Sequence, residues 1–486
     1  MQQIRKFAFD VGWVLVSSAV NLVIVFLLRI ALARWLGSSD LGLYTMIVTV
    51  QEICVLVAGL GISTALVKYV AEYQSKRDKL IQIISSAFII SIIFSLIGSA
   101  LLYFLSGTLA GLFNMPQLAH LLRILAIALP FSLLVEVELG LANGLRKMKN
   151  WASLMILRNC LMILLIITFV LLGFGVEGTV LGILLSSGAA CIFGLHLFKG
   201  YLHPTRQEFL KDTMKLVSFG SQAFGANAVS LIANRADIIM IGYFLTAAKV
   251  GYYSIAVSLS MLFDIIPHAI QRITYPAITN YWYKENHRSL QEMVDKSMKY
   301  SACILLPVGL GFGFFAKEIT TTVFGTEYIY AVPPFLILLI SRLIRGATVQ
   351  PIGSIFGSRG RPDIGLKIDT LSTALNIGLN VVLIPRYDIA GAAIATTISL
   401  LVGAVIFIVL LPRMVRVKID ARWYGWSLGL ACVAVAIFWI GTKFIYPYIV
   451  GGALLVGYII VVITLLLTKE DKAMFKSLVC SLVRRT

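Results

Sequence analysis

The sequence predicts an all-α polytopic membrane protein, on three observations. Of 486 residues, 59% are hydrophobic and 13% charged, and the mean hydropathy is +0.91, a balance foreign to soluble domains. The apolar residues gather into fourteen runs, each near the roughly 20 residues a helix needs to cross the hydrocarbon layer. One stretch of the first half also recurs, more weakly, about 209 residues downstream, and internal repeats are common in transporters. Together these point to two pseudo-symmetric six-helix lobes plus two C-terminal helices, and the polar faces described below place a central cavity between the lobes.

Taken in order, the runs are 11–33, 41–63, 80–105, 118–143, 152–173 and 177–197, then 216–244, 250–272, 297–316, 332–353, 364–384 and 390–411, and finally 424–442 and 447–467. They divide the chain into an N-terminal lobe (1–200), a linker (201–215), a C-terminal lobe (216–412) and a remainder with two helices and a tail (413–486). The repeat lays LTAAKVGYYSIAV (Leu245 to Val257) over LGSSDLGLYTMIV (Leu36 to Val48). Leu36 then matches Leu245, Gly42 matches Gly251, Tyr44 matches Tyr253 and Val48 matches Val257. Each copy reads as an apolar helix, a short polar turn and a second apolar helix. The first run is too long for a signal-peptide core and lacks a small-x-small cleavage site, so it reads as a retained span.

Orientation follows from the connections, because Lys and Arg concentrate on the cytoplasmic side. With the amino terminus inside, 30 of the 41 basic residues fall in inner segments, 5 (Arg34, Lys249, Lys317, Arg386 and Lys443) in outer turns, and 6 within spans. The alternation holds at every crossing. It predicts both termini cytoplasmic and residence in the cytoplasmic membrane.

The net charge of +18 is spread in short clusters between apolar runs, which speaks for topology and against a nucleic-acid surface. The six cysteines form no CxxC pair, so neither a disulfide framework nor a zinc site is indicated. No GxxxxGK[ST], HExxH or GxSxG is present, and no connection is long enough for a catalytic domain. The expectation is a protein that is not an enzyme and has no cofactor or metal, whose function resides in the helix bundle.

Charges within spans are the natural functional candidates, because a charge at the bilayer centre costs about 2.5–3.5 kcal/mol on insertion scales. Six arginines (Arg29, Arg123, Arg158, Arg235, Arg342, Arg345) stand against six carboxylates (Glu52, Glu136, Glu138, Asp237, Asp264, Asp369). Several lie on polar stripes of helical spacing: Ser18, Asn21 and Arg29; Thr45, Thr49, Glu52, Gly59 and Ser63; Asn227, Ser230, Asn234 and Asp237; Asp369, Thr373, Asn376 and Asn380. Such stripes suit helices facing a wet cavity, though interhelical hydrogen bonding explains neutral members equally well. Arg342 and Arg345 are one turn apart, and guanidinium groups grip phosphate in two-pronged fashion, so a phosphate-bearing ligand is a candidate guest. Pairing with Glu52 or Glu136 is the competing explanation for them. The predicted cavity residues are Arg29, Arg235, Arg342, Arg345, Asn21, Asn227, Asn234 and Asn376. Glu52, Asp237 and Asp264 are candidates for a coupling Na+ or H+.

The segments LARWLGSSDLGLYTMIVTV, LGISTALVKYVAEY, LANGLRKMKN and NRADIIMIGYFLTAAKVGYYSIAVSL together resemble the Wzx-type polysaccharide flippases of the multidrug, oligosaccharidyl-lipid and polysaccharide exporter superfamily, over roughly residues 1–410. The resemblance implies two six-helix lobes with two extra helices, a cationic cavity, and alternating access often tied to an ion gradient. It further implies that polyprenyl-linked oligosaccharides are turned from the inner to the outer leaflet for O-antigen, lipopolysaccharide or exopolysaccharide biosynthesis. Partners implied are the lipid-linked oligosaccharide, membrane lipids and glycan polymerase or assembly proteins, with no nucleic acid. The equal number of carboxylates departs from a strongly cationic cavity. A cation-coupled multidrug exporter and a membrane glycan polymerase or ligase are the alternatives.

Overall fold

The computed structural model describes the backbone of residues 2–202, 208–415 and 417–466, and the side chains from residue 24 onwards, ending at 464. Asn21, the middle of the linker and the C-terminal tail beyond 466 lie outside these described side chains.

Among the described residues the fold is helical without strands. The helices are α1 (Gln2–Gly59), α2 (Ile62–Glu72), α3 (Arg77–Leu112), α4 (Pro116–Gly144), α5 (Met148–Leu171), α6 (Gly175–Phe198), α7 (Phe209–Phe244) and α8 (Ala247–Met261). There follow α9 (Ile265–Tyr283), α10 (His287–Phe314), α11 (Ala316–Phe324), α12 (Val332–Ala347), the single turn α13 (Ile355–Ser358), α14 (Pro362–Val415), α15 (Ala421–Gly441) and α16 (Pro447–Val461). Among the described residues, twelve helical segments are long and apolar enough to cross a membrane. Their outward faces carry large apolar side chains open to the surroundings, among them Phe104 (81%), Ile192 (69%) and Trp426 (65%). In water such a surface would drive association, whereas acyl chains solvate it. The chain is a multi-pass membrane protein.

Two helices turn back on themselves. At 58 and 54 residues, α1 and α14 would each run about 80–90 Å if straight, far beyond the ~30 Å hydrocarbon layer. The backbone leaves helical geometry at Gly37 (φ 80, ψ 177) and at Asp388 (φ 60, ψ −147). Glycine suits the first because this conformation strains any residue with a Cβ. At the second, the Asp388 carboxylate accepts a hydrogen bond from the Ile389 N–H (2.8 Å) and pairs with Lys249. Beyond the turn, Asn376 donates to Thr396 (3.1 Å), a pair about 30 Å apart along a straight helix.

The chain forms two compact units, the first comprising Met1–Ile255, Val323–Tyr328 and Ile377–Ala392, and the second Ala256–Thr322, Ile329–Asn376 and Ala393–Thr486. In the first, α2, α3 and α4 bury Ile62, Leu66, Ile83, Phe88 and Leu141 against Phe198 and Leu216. In the second, α10 carries Met298, Leu306 and Phe314 into a core shared with Phe356, Phe407 and Tyr424. There α15 and α16 pack on α10, with Phe314 stacked on Phe438 at 4.4 Å and Gly451 against Phe314 and Phe315.

The repeat has a physical counterpart in the first unit. A Cβ on Gly42 would lie 1.8 Å from the Ala247 carbonyl oxygen, and one on Gly251 would lie 2.0 Å from the Ser38 carbonyl oxygen. Residues 38 and 42 correspond to 247 and 251 under the 209-residue offset, so the contact is reciprocal. Each copy of the repeat uses its glycine to admit the backbone of the other.

Because carbonyl oxygens are in the way, Gly42→Ala and Gly251→Ala should each destabilise the protein by about 1–3 kcal/mol, as overpacking does. Thermal unfolding in detergent checks this, and a wild-type melting temperature for both variants would count against the contact.

Candidate functional site: charged clusters within the helices

In the first unit the charged residues meet around the second arm of α1, α7 and α8. Arg235 grips Glu52 with two parallel bonds, Nε to Oε2 and Nη2 to Oε1, both 2.6 Å. This two-pronged geometry is the strongest form of ion pair for a planar guanidinium. Arg29 donates to the Ser254 carbonyl oxygen at 2.8 Å and lies within the electrostatic reach of Tyr44, Arg235 and Glu52. Asp237 accepts from the Tyr253 hydroxyl (2.6 Å) and from Asn380 Nδ2 (2.7 Å). The predicted residues Arg29, Arg235, Glu52 and Asp237 therefore sit in one neighbourhood. Asn227 and Asn234 do not join them; both are exposed, and Asn234 donates to Ser230 on its own helix at 2.7 Å.

The stripe on the second arm of α1 is not uniformly wet. Thr45 and Thr49 are 1% and 0% exposed, and their hydroxyls donate back to the carbonyls of Leu41 and Thr45. Helical spacing shows that residues share a face; it does not show whether that face meets water or a neighbouring helix. Further along, Ser63 donates to the Glu136 carbonyl (2.7 Å) and lines a hollow of about 540 Å³ with Glu136, Asn143 and Trp151. A second hollow of about 710 Å³ is lined by Tyr69, Lys211, Lys215 and Gln222, and the two share Lys68 and Phe219. Lys68 lies over the Phe219 ring at 4.2 Å. Beside this basic, aromatic region, Lys79 ties α3 to Glu208 (2.7 Å) and to the buried Asp212 (2.9 Å). The Lys79 bond, with Lys211 nearby, holds the exposed Glu208 carboxyl below its ordinary value.

In the second unit Arg342 donates from Nη1 to Asp264 at 2.5 Å, while its Nε is buried without a partner among the described residues. Arg345, one turn on, makes no hydrogen bond or ion pair among the described residues; its electrostatic neighbours are Arg342, Asp264 and Asp369. Asn376 is 5% exposed and packs inside the α14 hairpin, and Asp369 is exposed.

The identity of the partners differs from the expectation. Arg342 takes Asp264, while Glu52 takes Arg235 and Glu136 takes Arg158 (3.2 Å). A guanidinium deep in a bundle needs a counter-ion, and the tertiary packing chooses which carboxylate is within reach. Sequence reasoning did not find Ser254, gave Tyr253 a place in the repeat but no polar role, and counted Glu138 among the span carboxylates without assigning it a function. Tyr253 carried a signal, being the repeat partner of Tyr44.

Swapping the charges tests the Arg235–Glu52 pair. Glu52→Arg or Arg235→Glu alone should each cost about 1–3 kcal/mol, less than a fully buried pair because both side chains are partly exposed. The double exchange should restore most of it, and additive losses in unfolding measurements would contradict the pairing.

The sequence profile of a family described as polysaccharide biosynthesis protein matches residues 31–333. Among curated relatives, the chain is similar to the probable low-salt glycan biosynthesis flippase Agl15 of Haloferax volcanii, at 24% identity over 86% of this chain and 85% of that one. It is also similar to the putative O-antigen transporter of Shigella flexneri, at 22% identity over 79% of this chain and 93% of that one. Among solved structures, the lipid II flippase MurJ in an inward closed conformation shares the fold with a TM-score of 0.75 at 17% identity, covering 91% of this chain and 97% of its own. With the family profile running over more than half its length, the chain belongs to the polysaccharide biosynthesis protein family.

Proposed function

We propose that this protein is a flippase that moves polyprenyl-pyrophosphate-linked oligosaccharide units across the cytoplasmic membrane for cell-surface polysaccharide biosynthesis, by alternating access. The observation that carries the reading is the Arg342–Arg345 turn of α12. Arg342 spends one edge of its guanidinium on Asp264, and Arg345 has no hydrogen-bonded counter-ion among the described residues. A positive charge left over at depth is costly unless something anionic visits it, and phosphate oxygens are the natural complement of a guanidinium fork. The names of the relatives, a glycan flippase and an O-antigen transporter, support the same substrate class.

The topology fits this role. Counting the hairpins at Gly37 and Asp388 as two spans each turns the twelve long apolar segments into fourteen crossings. An even number returns the C-terminus to the side of the N-terminus, and the basic connections assign that side to the cytoplasm. In this reading the protein moves its substrate without making or breaking a covalent bond.

Flipping of a polyprenyl-pyrophosphate oligosaccharide in reconstituted vesicles tests the function. The wild-type protein should accelerate it over empty vesicles, and Arg345→Gln should slow it about 10- to 100-fold, the worth of one or two charge-assisted hydrogen bonds. Arg345→Lys should recover only part, lacking the fork. Efflux of cationic drugs with no flipping would point to an exporter instead. Impermeant labelling of single cysteines should reach position 388 only from outside and position 149 only from inside; the reverse pattern would overturn the orientation.

A further inference from the structure

Glu138 stands apart from the other carboxylates in the spans. It lies within α4 at 0% exposure, and among the described residues neither of its carboxyl oxygens has a hydrogen-bond partner. Glu136, two residues earlier on the opposite side of the helix, takes Arg158 from α5. Of the charged groups on the helices packed against α4, Glu52 of α1 pairs with Arg235, Lys79 of α3 with Asp212, Lys68 of α2 lies over the Phe219 ring, and His196 of α6 is exposed. Among the described residues, the titratable group that faces Glu138 is Cys191 of α6, itself 3% exposed.

The space for this carboxyl is provided by a second residue. Gly194, one turn beyond Cys191 on α6, is so close that a Cβ there would lie 2.0 Å from Glu138 Oε2 and 2.3 Å from Cδ. A glutamate without a partner and a glycine that accommodates it are two separate observations at one spot. Structural duty explains neither, because an apolar side chain would fill the same room without the cost of burying a lone polar group. An ionised carboxylate here would be shut off from solvent and would meet no donor among the described residues, so the packing tolerates the neutral acid.

We propose that Glu138 is a proton-binding site. Its carboxyl holds a proton while α4 and α6 are packed at Gly194, and releases it when the helices part and water enters. The hollow along the other side of α4, lined by Glu136, Gly140 and Asn143, is the source of that water. On release the O–H bond breaks, its electron pair stays on the carboxylate, and the proton passes to water. The site is independent of the substrate; that its occupancy is coupled to transport rests on the flippase reading.

Infrared spectroscopy of the full-length protein in lipid nanodiscs at neutral pH reads the site directly. The wild-type spectrum should contain the carbonyl band of a protonated carboxyl, and that band should vanish in Glu138→Gln, a near-isosteric change. Absence of any such band from the wild type overturns the proposal whether or not the variant folds, and so does a band that persists in Glu138→Gln. Vesicle flipping under an imposed pH gradient then tests the coupling. Wild-type flipping should respond to the gradient and Glu138→Gln should lose at least tenfold of that response. A variant with the wild-type pH response overturns the coupling, whereas a wild type that does not flip at all removes the flippase reading and leaves the infrared result to decide the proton site.

Discussion

The reciprocal contact of Gly42 with Gly251 is the constraint around which the first unit is built. Two helices can come this close only where neither carries a Cβ, and the approach leaves each glycine against a carbonyl oxygen of the other segment. The consequences spread outward from the crossing. With α8 held against the second arm of α1, the Ser254 carbonyl comes within reach of Arg29, and Tyr253 turns its hydroxyl onto Asp237. Asp237 in turn receives Asn380 from the α14 hairpin. The polar cluster is thus a product of close backbone packing.

Within that frame the charges follow membrane electrostatics. Arginines at depth find carboxylates, as Arg158, Arg235 and Arg342 do, because the cost of an unpaired ion in a low-dielectric bundle exceeds what packing alone returns. The exceptions are informative for the same reason. Among the described residues, Arg345 has no bonded counter-ion and Glu138 has no hydrogen-bond donor. In the proposed readings one receives an anion and the other a proton. Both readings use the same physics, applied to groups of opposite sign.

Much of the architecture was legible in the sequence. The apolar runs have the length of spans, and the breaks at Gly37 and Asp388 fall in the connections between predicted helices. The repeat register predicted which glycines correspond, and in the fold those same glycines touch. What periodicity could not supply was the neighbour on the other side of each face. Thr45 and Thr49 share a stripe with Glu52 yet are sealed against protein, while Asn227 and Asn234 share one with Asp237 yet are exposed. Counting charges hid Glu138 too, since a balanced tally treats every carboxylate as a potential partner. Which arginine meets which carboxylate depends on how helices far apart in sequence pack, and no local pattern records that.

The proposed function rests on phosphate of a lipid carrier meeting the Arg342–Arg345 turn within this bundle. Binding of polyprenyl pyrophosphate against the matching polyprenol, measured by native mass spectrometry on the purified protein, tests it most directly. The pyrophosphate lipid should bind at least tenfold more tightly, a difference of about 1.4 kcal/mol or more, and Arg345→Gln should remove most of it. Equal affinity for the charged and uncharged lipids would contradict the account.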